Sequence, residues 1–120
     1  MDKNIFGEPL KPCCKNPITG YFRDGFCRTD KSDFGSHTVC VKITNEFLDF
    51  SKSKGNDLIT PHPIYNFSGL KEGDMWCLCA LRWQQAFEAG CAPKVELEST
   101  DEKALKYINI NDLILHAIKK

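Results

Sequence analysis

Seven cysteines and three histidines stand in a chain of 120 residues, and their spacing sets out the chemistry open to it. Cys77 and Cys79 lie one residue apart in GDMWCLCALRW, and His37 lies three residues before Cys40 in HTVC. Zinc takes four soft or borderline ligands in a tetrahedron, commonly supplied as two short pairs. His37 with Cys40 and Cys77 with Cys79 would be those pairs. With Cys27 in reserve, the candidate ligands are Cys27, His37, Cys40, Cys77 and Cys79. C-x-C is a less usual knuckle than C-x-x-C, and cysteine is also among the residue types most often buried as a small apolar side chain. A third chemistry is nucleophilic: a thiolate at Cys77 or Cys79, supported by His37 and by the cation of Arg82. Apolar Trp76 and Leu78 on either side of Cys77 work against a thiolate there, and without C-x-x-C nothing supports a thioredoxin-like assignment.

Two further sets of donors lie in loops. Asp24, Asp30 and Asp33 accompany His37, and Asn56-Asp57 precede His62. Oxygen and nitrogen donors of this kind suit a hydrolytic metal, but loop Asp and Asn more often bond their own backbone and shape turns. Cys13 and Cys14 are adjacent, and neighbouring cysteines seldom bridge each other. Cys14 and Cys91 read as incidental, and His116 as a solvated or capping residue of the last helix. Trp76 and Trp83 read first as core packing, with a stacking surface for a ligand as the lesser alternative.

Composition bounds the setting. Hydrophobic residues make up 42% and charged residues 27%, an ordinary globular balance, and the length suits one domain over residues 1–120. Sixteen basic residues offset sixteen acidic ones, so no concentrated positive patch is expected, nor nucleic acid or a membrane surface as partner. MDKNIFGEPLKPCC shows no apolar core of a signal peptide, which leads to the expectation of a cytoplasmic protein with reduced thiols.

The elements that must position these residues follow from local pattern. Prolines 9, 12 and 17 exclude regular helix from the start of the chain, and Asn16-Pro17-Ile18-Thr19-Gly20 reads as a turn. Asp24-Gly25 predicts a short hairpin across 21–28. In HTVCVKIT, Val39, Val41 and Ile43 alternate with polar residues, the period of a strand that turns Cys40 to the opposite face. NEFLDFSKSK predicts a helix capped by Thr44 or Asn45 and stopped by Gly55. The long connection after Gly55 is of a length that is often functional. Asp74 as cap and Gly90 as stop predict a helix over 75–89, on which residues two apart point roughly 200° from each other, so that Cys77 and Cys79 could not share one ion. On a strand they would share a face. KVELE reads as a half-buried strand and Ser99 with Glu102 as a capping box before a short helix. YINI reads as a brief strand, and Asn111 caps a last helix whose negative end suits Lys119 and Lys120. The sum is an α+β fold, a single compact domain with short antiparallel strands and three to four helices.

The ordered segments LKPCCKNPITGYFRDGFC, DFGSHTVC, EFLDFSKSKGNDLITP, GDMWCLCALRW and AGCAPKVELEST closely resemble the bacterial family designated domain of unknown function 2237, over roughly residues 4 to 118. The resemblance implies no established activity. The family pattern carries a histidine where this chain has Asp101, in ESTDEKAL, so any chemistry of that histidine is missing here, and Asp101 suits the acid of a helix first turn. The expected function is a small cytoplasmic binding or accessory domain with a cysteine-rich core, with or without a structural zinc, serving a protein partner or a small ligand; a pure scaffold with no site is a further reading. The alternative is a small enzyme using a cysteine thiolate.

Overall fold

A computed structural model describes residues 2–15, 18–65 and 67–118. Three strands form an antiparallel sheet in the order β2-β1-β3: β1 spans His37–Lys42, β2 Met75–Cys79 and β3 Lys94–Val95. Among the described residues three helices accompany it, α1 over Asn45–Ser53, α2 over Ala80–Glu88 and α3 over Ile110–Leu115, with 3-10 turns at Pro63–Tyr65, Leu97–Ser99 and Glu102–Lys106. None of the described helices is long and apolar enough to cross a membrane. The α+β class expected from pattern is the one found.

Strand β1 is central, and its residues 38 to 41 are fully buried because both of its faces are covered. Val39 and Val41 face the larger core, shared with Trp76 and Leu78 of β2, Phe47 and Leu48 of α1, Trp83 of α2 and Leu113 of α3. Cys40 and Cys77, directly opposite each other in the strand register, face the other way into a small cluster with Cys27 and Cys13. The alternation in HTVCVKIT thus places Cys40 as expected. Thr44 caps α1 by accepting from the Phe47 N–H at 3.1 Å, and Gly55 follows the helix at φ +89°, a conformation that glycine adopts without penalty.

Five expectations need correction. Residues 75–79 are strand rather than helix: both faces of MWCLC are covered, so the run is apolar without alternation and its period carries no signal. Residues 21–28 form turns and bends, not hairpin strands, because the Asp24 carboxylate accepts from Phe26 N–H at 3.1 Å and from Arg28 Nε at 2.7 Å and folds the segment on itself. KVELE keeps only two strand residues, since the chain turns into a 3-10 helix at Leu97. No strand forms at YINI: Asn109, not Asn111, caps α3, accepting from the Asn111 N–H at 2.8 Å. The Ser99 capping box is absent as well. Ser99 instead donates to the Pro12 carbonyl at 2.9 Å, and Asp101 caps the following turn, accepting from Lys103 N–H at 2.9 Å. Asn16, Pro17, Lys119 and Lys120 lie outside the described residues.

Asp101 is fully buried, and its Oδ2 has no hydrogen-bond partner among the described residues. Burial pushes its carboxyl above the usual range, against the pull of the Lys103 N–H and charge and with a smaller push from Asp2 and Glu102. A carboxyl raised by folding binds its proton more tightly in the native state, so its contribution is fully present below the unfolded carboxyl range near 4 and is lost as pH rises from there through the raised native value. Asp101→Asn should therefore raise the melting temperature at pH 7 by a few degrees, on the order of 1 kcal/mol, with the gain vanishing below about pH 3. Thermal unfolding at the two pH values checks this.

Candidate functional site

The sheet edge at β2 and the loops around it enclose a cleft of about 440 Å³. Trp76 and Phe67 supply its aromatic wall, their ring centroids 5.5 Å apart, and His37, Arg23, His62 and Cys79 supply its polar groups. The Arg23 guanidinium lies 5.1 Å from the centre of the Trp76 ring, a cation–π contact that holds a positive charge at the cleft. Gly20 also borders the cleft at φ +97°, where a Cβ would collide with the Phe26 carbonyl oxygen. Glycine is required there.

His37 begins β1 and is paired with Cys79, the last residue of β2. The register shifts between His37 and Val39, an irregularity that re-aims side chains at a strand end. One oxygen of Asp33 accepts from His37 Nδ1 at 2.7 Å, and the other accepts from the His37 backbone N–H and the Thr29 hydroxyl, both at 2.9 Å. The Asp33 side chain is only 1% exposed. Burial by itself would raise its carboxyl pKa, but the hydrogen bonds from His37 and Thr29 outweigh it and hold the group below the usual carboxylate range. A carboxylate only accepts, so Nδ1 carries a proton and Nε2 is the nitrogen left for other chemistry.

Cys79 is a free, half-buried thiol. It is also the residue preceding α2, at the N-cap position with no side-chain capping bond, which sets its sulfur at the positive end of the helix dipole. A Cβ on Gly35 would lie 3.0 Å from His37 Cε1 and 3.4 Å from Cys79 Sγ. Imidazole and thiol therefore border one small space, kept open by the missing side chain of Gly35.

Of the five residues expected to share a metal, the fold divides the set. Cys27, Cys40 and Cys77 lie together beneath the sheet and take in Cys13, while His37 and Cys79 stand at the cleft, which Cys77 also borders. Against the expectation of reduced thiols, Cys13 is disulfide-bonded to Cys40 and Cys27 to Cys77, because the strand register and the preceding loops bring these distant residues together, and Cys77 is thereby removed as a thiolate. Cys14 and Cys91 are free, and burial pushes the Cys91 thiol up. Arg82 projects from α2 to donate to the Lys54 carbonyl at 3.0 Å, and the cation brought to the cleft is Arg23 instead. The Asp57 carboxylate is held to about 2 by the hydroxyl and N–H of Thr60 and the N–H of Ile59, so it shapes its loop as a turn residue does. His116 packs edge-on against Trp83 and Phe87, each 5.4 Å away, at the rim of the core. Thr19 gave no signal in the sequence, yet it is fully buried and its hydroxyl accepts from Cys77 N–H at 2.8 Å, tying the loop to β2.

A family model described as an uncharacterized protein conserved in bacteria, DUF2237, matches residues 3–117. The chain belongs to this family. The match spans the cleft and both disulfides of this DUF2237 domain, and no functionally curated protein matches the chain.

Proposed function

We propose that the domain binds a small molecule in the cleft and acts on it through the Cys79 thiol, with His37 as base and Asp33 as the residue that orients His37. The observation that supports this is the buried Asp33 carboxylate bonded to His37 Nδ1 at 2.7 Å, directly across the strand pair from a free thiol. A base held in one tautomer by a third group, beside a nucleophile at a helix N-terminus, is the arrangement thiol chemistry needs. His37 Nε2 takes the thiol proton, the sulfur attacks an electrophilic carbon, and the proton returns to the departing group. Arg23 and His62 suit an anionic group on the ligand, and Trp76 and Phe67 suit an apolar or planar portion.

A second reading is a binding module with no covalent step. It is favoured by the aromatic wall of the cleft and by the cross-linked frame beneath it. In either case the ligand is a small molecule.

Alkylation with iodoacetamide at neutral pH separates the two. In the oxidised protein three thiols are free, and Cys79 should react before Cys14, with Cys91 slowest. His37→Gln and Asp33→Asn should each slow Cys79 by roughly tenfold or more while leaving the rate at Cys14 unchanged. Cys79 reacting no faster than Cys14, or indifferent to His37→Gln, would leave only the binding module.

A further inference from the structure

Four cysteines distant in sequence are brought to one place beneath the sheet. Cys13 comes from the N-terminal segment, Cys27 from the loop before β1, Cys40 from β1 and Cys77 from β2. The sulfurs of Cys13, Cys27 and Cys77 all lie within 4.8 Å of one another, although Cys13 is bonded to neither of the other two. Cys40, bonded to Cys13, faces Cys77 across the strand pair. Two unrelated cross-links would not need their sulfurs to converge. A tetrahedral zinc site does, since a Zn–S distance of about 2.3 Å sets its sulfurs roughly 4 Å apart; three of the four lie within 4.8 Å of one another here, and the Cys40 sulfur adjoins them through its bond to Cys13.

We propose that Cys13, Cys27, Cys40 and Cys77 form a zinc site when reduced, and that the two disulfides are the oxidised state of that same cluster. The scaffold suits the metal. Cys13 and Cys14 N–H groups both donate to the Gly25 carbonyl, at 2.6 and 3.3 Å, so the Cys13 and Cys27 loops are held side by side without help from sulfur. The backbone at Cys40 and Cys77 is fixed by the Thr100 and Thr19 hydroxyls, at 3.2 and 2.8 Å. Cys27, Cys40 and Cys77 are buried, while Cys13 is half-exposed and gives the metal its route to solvent.

The chemistry balances with a dithiol reductant as co-reactant. Each disulfide takes two electrons and two protons as the dithiol closes to its own disulfide. The four thiols then give up four protons on binding one Zn²⁺, leaving a tetrathiolate centre of net charge 2−. Reducing compartments favour the metal and oxidising ones the disulfides, so the domain keeps a cross-linked frame in both. The site shares no ligand with Cys79 and His37, although Cys77 borders the same cleft, and it stands or falls independently of their chemistry.

The test uses the whole chain, reduced with a phosphine and treated with one equivalent of zinc. Brief alkylation and mass mapping should show four thiols protected by zinc, at positions 13, 27, 40 and 77, whereas without zinc they are labelled. The reactivity of Cys14 and Cys79 should not depend on zinc. Cobalt(II) in place of zinc should give the intense visible bands of a tetrahedral tetrathiolate, unchanged by Cys79→Ser or His37→Gln and altered by Cys13→Ser. Equal labelling with and without zinc, protection that includes Cys79, or an octahedral cobalt spectrum would each overturn the proposal.

Discussion

Removing the Cys27–Cys77 cross-link by the double substitution Cys27→Ala/Cys77→Ala should lower the unfolding free energy of the oxidised protein by roughly 4 kcal/mol. Cys27 and Cys77 are 50 residues apart, and tying them together restricts the unfolded chain by about that amount in the chain-entropy account. The melting temperature should drop by roughly 15 °C for a domain of this size. The Cys13–Cys40 bridge spans 27 residues and should contribute slightly less, roughly 3.5 kcal/mol. Urea unfolding of the two double variants, compared under oxidising conditions, measures both effects. A midpoint unmoved by either pair would mean that the loops are held by their hydrogen bonds alone.

Trp83→Ala should be as damaging for a different reason. Trp83 is fully buried, stacks on Phe87 with centroids 5.4 Å apart, and donates its indole N–H to the Pro93 carbonyl at 3.1 Å. Alanine would leave a cavity where α2, α3 and the sheet meet and would strand the Pro93 carbonyl, at a cost of about 3–5 kcal/mol. Trp83→Phe, which keeps most of the volume and loses the donor, should lose less than half as much. Denaturant midpoints of the two variants read the packing and hydrogen-bond parts separately. Equal losses would assign the whole effect to the indole N–H.

The elements legible in the sequence were those whose signal is local. Val39, Val41 and Ile43 alternate with polar neighbours, and Thr44 and Gly55 bracket α1 by capping rules that involve only a few residues. MWCLC failed because a strand covered on both faces has no period, and Trp76, Cys79 and Trp83 happen to fall at helical intervals across a strand–helix junction. The partner of Cys40 was beyond reach for a different reason, since spacing does not encode which sulfurs meet in space. Asp33 and His37 were singled out together, but as loose metal donors. What makes them a pair is burial of the carboxylate, and burial is a tertiary property. Asn4 illustrates the same limit. It looks like a surface residue near the start of the chain, yet it is fully buried, accepting from Phe6 and Glu8 N–H and donating to the Glu98 carbonyl.

The placement of β1 also bears on how a newly made chain reaches its fold. The ribosome releases β1 first, but both of its neighbours lie downstream, and β3 is itself bridged to Ala117 near the end of the chain. Val39 and Val41 must therefore wait, unpaired, until Trp76 and Leu78 of β2 have emerged, and the other edge of β1 stays open until Val95 follows. During translation the stretch around residue 40 is the part of this domain that a holdase-type chaperone would cover.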